Sequence, residues 1–181
     1  MSNIAMAGGA TGTGTVTLLA PVTNTNRTIN LPDSNGTVAL QGGAGVGKVL
    51  QVVQGTTTTV TTTTSASFVA TNLTVSITPT YATSKILVTV TGPIDSAATS
   101  SQANGSIFRN GVTNLGGAAG FTNIFSNSGR LISSLAMTFL DSPATTSSTS
   151  YTVYINGSAG ASIGFPQGSN LATITLLEIA A

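Results

Sequence analysis

Short stretches of alternating apolar and polar residues occur along most of the chain, and none has the spacing of an amphipathic helix. In the segment 72–78, Leu73, Val75 and Ile77 fall on one face and polar residues on the other. Such alternation predicts strands that bury one face. Similar patterns predict about eight or nine strands after residue 47, including 49–53, 86–90, 106–109, 112–115, 131–139, 151–155 and 171–179.

Turn residues separate these segments. Asn110-Gly111 predicts a tight hairpin, because both residues tolerate positive φ. Asp141-Ser142-Pro143 ends one long strand, and Asn156-Gly157 ends the next. The number and spacing of the strands predict an all-β fold, an antiparallel β-sandwich with a jelly roll as the preferred form.

The chain divides into two predicted modules. Residues 1–41 contain three short predicted strands, Thr15–Leu19, Arg27–Leu31 and Thr37–Leu40, which are too few to bury a core alone. We therefore expect an attachment module that needs partner chains or a docking surface. Residues 42–48 (GGAGVGK) then form a predicted Gly-rich hinge, and residues 49–181 form the C-terminal sandwich, or knob.

Two segments around the hinge allow alternative interpretations. Gly42, Gly47 and Lys48 have the spacing of a phosphate-binding loop, but Val49 stands where Ser or Thr is needed, and a strand follows where a helix is required. The Thr-rich run Gln54–Thr64 is interpreted as an exposed or intersubunit strand. A disordered, glycosylated stalk is the alternative for this run.

Charged residues are scarce, which excludes most catalytic chemistry. The sequence has five Lys or Arg, four Asp or Glu, and neither His nor Cys. It therefore lacks the usual general base, a thiolate nucleophile and the common nitrogen–sulfur zinc ligands. We predict that the chain is not an enzyme and holds no cofactor or metal. Catalysis would need a fold that brings two carboxylates together, such as the closest acids in sequence, Asp141 and Glu178.

The net charge of +1 with scattered cations gives no basic patch for nucleic acid, and no apolar stretch is long enough for membrane insertion. With 40% hydrophobic residues distributed along the chain, the composition nevertheless favours a folded protein over a disordered one.

Two parts of the chain resemble the fibre-like virion structural proteins of bacteriophages. The N-terminal part is GGATGTGTVTLLAPVTNTNRTINLPDSNGTVAL (8–40), and the C-terminal marks are SKILV (84–88), IFRNG (107–111), LDSPATTSSTSYTV (140–153) and ATITLLEIAA (172–181). The resemblance implies a homotrimer with a knob-like jelly roll. It also implies an N-terminal module that binds other virion proteins, assembly in the cytoplasm of the bacterial host, and a final location on the particle surface.

Such modules serve several roles, so three functions stay open. The first is a short tail fibre or adhesin that contacts the host surface. The second is a capsid decoration or head-fibre protein with a mainly mechanical role. The third, from a different class, is a non-viral carbohydrate-binding module; a monomeric state would favour this one.

If the knob binds a host surface glycan, aromatic and amide side chains in loops are the candidate contacts. Phe121, Asn123 and Phe125 lie in a Gly-rich connection, although a strand or a core plug is the alternative. Tyr81 and Tyr154 are weaker candidates, because both also suit partly buried sheet aromatics. For Arg109 and Arg130, ion pairs with Asp95 or Asp141 are favoured over contacts to an acidic sugar.

Overall fold

The computed structural model describes residues 48–158 and 160–181, so the attachment module predicted at 1–41 and nearly all of the predicted hinge lie outside the described residues. Within this part, the only helical residues form the 3-10 turn Gln167–Ser169, and no helix is long and apolar enough to cross a membrane. The strands are β1 (Val49–Thr57), β2 (Thr61–Thr63), β3 (Val69–Ile77), β4 (Lys85–Ser96), β5 (Ser101–Arg109), β6 (Thr113–Asn114), β7 (Thr122–Ser126), β8 (Leu131–Asp141), β9 (Thr149–Gly157), β10 (Ile163–Phe165) and β11 (Ala172–Ile179).

The strands form two antiparallel sheets that pack face to face. The first sheet has four rows: β8, then β4, then β11 with β10, and finally β1 with β2. Strands β11 and β10 share a row because they pair with successive parts of the same side of β4. The second sheet has the order β3, β9, β5, and then β7 with β6 along the outer side of β5.

The two sheets together contain eight strand rows. When these rows are numbered in the order in which they occur along the chain, the first pairs with the eighth, the second with the seventh, the third with the sixth and the fourth with the fifth. This is the arrangement of a long antiparallel hairpin rolled into a sandwich, which is the jelly roll. The structure therefore confirms the all-β antiparallel sandwich and its jelly-roll form.

The core lies between the sheets and follows the alternation in the sequence. Ile86, Val88 and Val90 project from β4 and are fully buried. Tyr151 and Val153 project into the same core from β9 in the other sheet and are also fully buried. Burial of a large apolar side chain contributes roughly 1.5–3 kcal/mol, so this packing can stabilise a chain that has no disulfide.

Two ion pairs join elements at the rim of the sandwich. The Arg109 guanidinium donates to both carboxylate oxygens of Asp141, at 2.8 and 2.9 Å. Arg130 donates to Asp95 at 2.8 Å. These contacts are the ion pairs that the sequence favoured over contacts to an acidic sugar.

Several strand limits differ from the prediction. β5 begins at Ser101 instead of 106, and β1 continues to Thr57 instead of ending at 53. The hairpin turn is confirmed at Asn110 and Gly111, with φ of 52° and 68°. Val112, however, belongs to the turn, which lengthens the loop to three residues.

The Thr-rich run forms the outer row of the first sheet, since β1 pairs with β11 and β2 with β10. This placement at a sheet edge suits the predicted exposed strand and does not support a disordered stalk. Strand β1 also begins directly after Lys48, where a phosphate-binding loop requires a helix.

Candidate functional site

The best candidate segment from the sequence is a strand and not a connection. Thr122–Ser126 forms β7, which pairs with β5. Phe121 precedes it and packs against the core, with its ring 5.5 Å from that of Phe139. Asn123 and Phe125 point the other way, and the Phe125 side chain is 48% exposed. The segment therefore closes the core with Phe121 and presents Asn123 and Phe125 to solvent.

A chain of side-chain amides starts at Asn123 and crosses the outer face of the second sheet. The Asn123 amide donates to the side-chain oxygen of Asn104 at 2.5 Å, and Asn104 donates to that of Asn156 at 2.9 Å. Asn156 donates to the backbone carbonyl of Ala66 at 2.8 Å. Each amide donates to the next group, so all three hydrogen bonds run in the same direction, from Asn123 towards Ala66. Asn123 is exposed, and its side-chain oxygen accepts no hydrogen bond from the described residues.

Three aromatic rings lie beside this amide chain. The rings of Phe108 and Tyr154 stack with centroids 4.0 Å apart and an angle of 23°. Phe68 contacts Phe108 edge to face at 5.7 Å. All three side chains are half-buried. Phe108 on β5 and Tyr154 on β9 meet diagonally across the strands, a pairing that brings long side chains on one face into contact.

The amide chain and the rings occupy successive positions of the same sheet face. On β9, Tyr154 and Asn156 are two residues apart and therefore point to the same side. Asn104 pairs with Asn123 on one side and with Asn156 on the other. We call this surface the aromatic–amide face; its members are Gln102, Asn104, Phe108, Asn123, Phe125, Tyr154 and Asn156, with Phe68 at its margin.

The aromatic–amide face contains no charged side chain. The nearest cation on these strands, Arg109, is paired with Asp141 at the rim. The face therefore offers ring faces, amide donors and acceptors without an electrostatic field for an ion. This combination suits a neutral ligand that has both apolar and hydroxyl surfaces.

Tyr81 does not join this surface. Phe68 directly precedes β3, and Tyr81 lies four residues after its last residue, Ile77. The strand has 9 residues, which at about 3.3 Å per residue separates its ends by about 30 Å. Tyr81 is 43% exposed and is therefore a surface aromatic at a distance from the aromatic–amide face.

Sequence reasoning missed several members of the face. Phe68, Phe108, Asn104 and Asn156 were not candidates, although Tyr154 was. Asn104 and Asn156 occupy β5 and β9, although asparagine is depleted in strands. No local signal marked them, because Asn104 precedes the predicted strand 106–109 and Asn156 was wrongly assigned to the turn after 151–155.

Asp141 and Glu178 fall in the same cross-strand row. Both pair with Ile86, Asp141 from β8 and Glu178 from β11, so their backbones are about 10 Å apart. The Tyr151 hydroxyl donates to Asp141 at 2.7 Å, in addition to the contact with Arg109. Burial and this hydrogen bond to a carboxylate raise the pKa of Tyr151 well above its ordinary value.

Glu178 is held by a different set of donors. The Gln51 amide and the backbone N–H of Thr80 each donate to it at 2.6 Å, and the Thr80 hydroxyl donates at 3.0 Å. Burial alone would raise the pKa of Glu178, but these hydrogen bonds outweigh burial and lower it. Each carboxylate therefore accepts hydrogen bonds from other elements and connects them to its own strand. That the chain is not an enzyme stays a prediction.

Other surface features offer less. A depression of about 340 Å³ lies beside Arg109, Thr113 and Thr149, but the guanidinium there is engaged by Asp141. In the described part of the chain, no group of three or more acidic residues is positioned to hold a metal ion.

Comparison of the whole chain with protein-family models and with curated proteins found no match.

Proposed function

We propose that this chain is a structural protein of a bacteriophage particle, a short fibre or adhesin whose knob contacts the host surface. The observation that carries the proposal is the aromatic–amide face, an uncharged surface of aromatic rings and amides on one side of a jelly roll, of which Phe125, Asn123 and Gln102 are exposed. The resemblance of residues 8–40 and of the C-terminal motifs to fibre-like virion proteins supports a place on the particle.

The ligand that suits this face is a neutral glycan of the host surface. The C–H face of a sugar ring packs on an aromatic ring, while its hydroxyls bond to amides. Phe125 supplies an exposed ring, and the exposed Asn123 supplies an amide oxygen that accepts no hydrogen bond from the described residues. Without a cation on the face, an acidic sugar has no counter-charge there.

The same surface favours an adhesin over a purely mechanical decoration protein. A decoration protein needs surfaces that bind the capsid, and it does not need aromatic and amide groups side by side on a free sheet face. Contiguous apolar surface rimmed by polar groups is typical of a binding site. The proposed contact is therefore the outer face of the second sheet.

Electron microscopy of whole particles, labelled with an antibody against residues 49–181, tests the location. Label at the tail is the expected result. Label over the head would instead assign the chain to capsid decoration. Label on neither, with expression of the protein confirmed, would overturn the virion proposal and leave the carbohydrate-binding module.

An adsorption-blocking assay with the purified full chain tests the contact itself. Phe125→Ala should weaken blocking by about tenfold, equivalent to about 1.4 kcal/mol of binding free energy. Tyr81→Ala is the matched control, because it removes a similarly exposed ring at a distance from the face and should leave blocking unchanged. Equal loss in both variants, or loss in neither, would contradict the assignment of the aromatic–amide face.

A further inference from the structure

The outer face of the first sheet carries a continuous row of aliphatic side chains. Val52 on β1 pairs with Leu177 on β11, Leu177 pairs with Leu87 on β4, and Leu87 pairs with Leu140 on β8. The two side chains at the ends of the row, Val52 and Leu140, are 60% and 47% exposed. The row crosses all four strands, a distance of about 14 Å.

The next two rows on this face are mostly threonine, with several side chains already hydrogen-bonded to each other. The Gln54 amide donates to the Thr175 hydroxyl at 3.1 Å, and the hydroxyls of Thr91 and Thr173 are 2.9 Å apart. Covering these groups therefore costs less than covering unpaired hydroxyls. We call this surface the aliphatic–threonine face; its rows are Val52–Leu177–Leu87–Leu140, Gln54–Thr175–Thr89–Thr138 and Thr56–Thr173–Thr91–Ala136.

Charges lie only at the two ends of this face. Lys85 begins β4 at one end, and the Arg130–Asp95 ion pair lies at the other. Between them, the outward positions of the described strands carry no charged side chain. In a contact between identical chains, a charged patch can meet its own copy, and like charges repel. A neutral face avoids that repulsion.

The sheet is also large enough for a stable contact. The outer face of the whole first sheet, of which these three rows form the middle part, is four strands wide and as long as the 12 residues of β4. It measures roughly 19 by 40 Å, or about 760 Å², close to the roughly 800 Å² that each partner of a standard interface contributes. At the end near Ile132, a hollow of about 540 Å³ makes the surface concave. An apolar side chain of another molecule can insert there; the hollow is lined by Gly92, Pro93, Ile132, Ser133, Ser134 and Asn170.

We propose that the aliphatic–threonine face is the surface on which a second copy of this chain packs. Neutrality, paired hydroxyls and area all favour a copy of the same chain over a charged partner. The aromatic–amide face is the poorer surface for this contact, because the amide oxygen of Asn123 would lose solvent without a matching donor. The proposal stands whether or not the aromatic–amide face binds a glycan.

Sedimentation velocity of the full chain across a concentration series tests this surface. The wild-type protein should sediment as an assembly of 17.9 kDa chains, a trimer if the implied homotrimer holds. Val52→Thr with Leu140→Thr should raise the dissociation constant by about tenfold or more, because it removes both exposed ends of the aliphatic row. Val112→Thr is the control, since Val112 is 83% exposed on a turn outside this face and should leave assembly unchanged.

A second variant guards against loss of folding. Thr138→Arg replaces an exposed polar residue in the middle row, so the core contacts of β8 are retained while a like charge is introduced into each copy. It should yield folded monomers, with circular dichroism and melting temperature close to the wild type. A wild-type protein that is monomeric throughout, or a Thr138→Arg variant that assembles as the wild type does, would overturn the proposal.

Discussion

At the scale of single residues, two glycines in the loop before β7 have similar positive φ angles but different surroundings. Gly117 and Gly120 have φ of 69° and 78°, where any side chain costs about 1–2 kcal/mol. A Cβ on Gly117 would meet nothing within 4 Å, whereas a Cβ on Gly120 would lie 2.5 Å from the backbone oxygen of Gly105. That oxygen accepts a hydrogen bond from Phe121 N–H and cannot move freely.

Gly120→Ala should therefore lower the free energy of unfolding more than Gly117→Ala, by at least about 1 kcal/mol, because a contact with rigid backbone adds to the shared strain. Urea unfolding of the two variants measures the difference directly. If both alanines cost the same, the contact with Gly105 does not constrain this loop. Since Phe68 also lies within 3.0 Å of the added Cβ, Gly120→Ala should disturb the aromatic–amide face as well.

At the scale of elements, one hydrogen-bonded group ties the two sheets together. Tyr151 on β9 and Arg109 on β5 belong to the second sheet, and both donate to Asp141 on β8 of the first. Tyr151→Phe should cost about 1.5–3 kcal/mol, because it removes a buried hydrogen bond to a charged group. Tyr154→Phe should cost within about 0.5 kcal/mol, since its hydroxyl has no partner among the described residues. Equal costs in denaturant unfolding would show that the bond across the sheets adds no stability.

Strand identity could be predicted from the sequence wherever apolar residues alternate over several positions. Ile86, Val88 and Val90 are fully buried as predicted, and so are Tyr151 and Val153. The first residues of β5 were missed because Ser101–Gly105 contains small and amide side chains that carry little β-propensity. Its strand conformation comes from pairing with β7 and β9, and pairing partners are not visible in a local pattern.

The candidate site was less predictable than the fold, and for a related reason. Phe125 and Asn123 were identified by residue type, but the face they belong to depends on the register of β7, β5 and β9. Asn104 and Asn156 are 52 positions apart and meet only because those strands are neighbours. A one-residue change of register would turn every side chain to the other face.

At the scale of the whole molecule, the two sheets differ in the chemistry of their outer faces. The aliphatic–threonine face offers apolar groups and hydroxyls that are partly paired, which suits contact with protein. The aromatic–amide face offers rings and, at Asn123, an amide acceptor with no partner among the described residues, which suits a hydroxylated ligand. The sandwich places these faces on opposite sides. Self-association through one sheet would therefore leave the other exposed, and it would present several copies of the ligand-binding face outward, which raises avidity for a surface.

The scarcity of titratable groups predicts how the stability of the molecule depends on pH. The lowered pKa of Glu178 stabilises the fold above its ordinary value near 4.5, and this contribution is lost as pH falls through the lowered value. The raised pKa of Tyr151 affects the stability of the fold at alkaline pH. Its contribution is complete below its ordinary value of 10.0 and is lost as pH rises further. No His or Cys titrates between these limits.

The melting temperature should therefore be nearly flat from about pH 5 to 9, and should fall below about pH 4 and above about pH 10. Calorimetry over a pH series measures the profile. The Glu178→Gln variant isolates the contribution of Glu178 to the loss of stability at acid pH. This variant should melt a few degrees below the wild type at pH 7, because an amide replaces the acceptor of three hydrogen bonds. The difference should shrink at acid pH, as the wild-type carboxylate gains its proton below its ordinary pKa near 4.5. A loss of many degrees within pH 5 to 9 would mean that a group other than Glu178 or Tyr151 controls the fold.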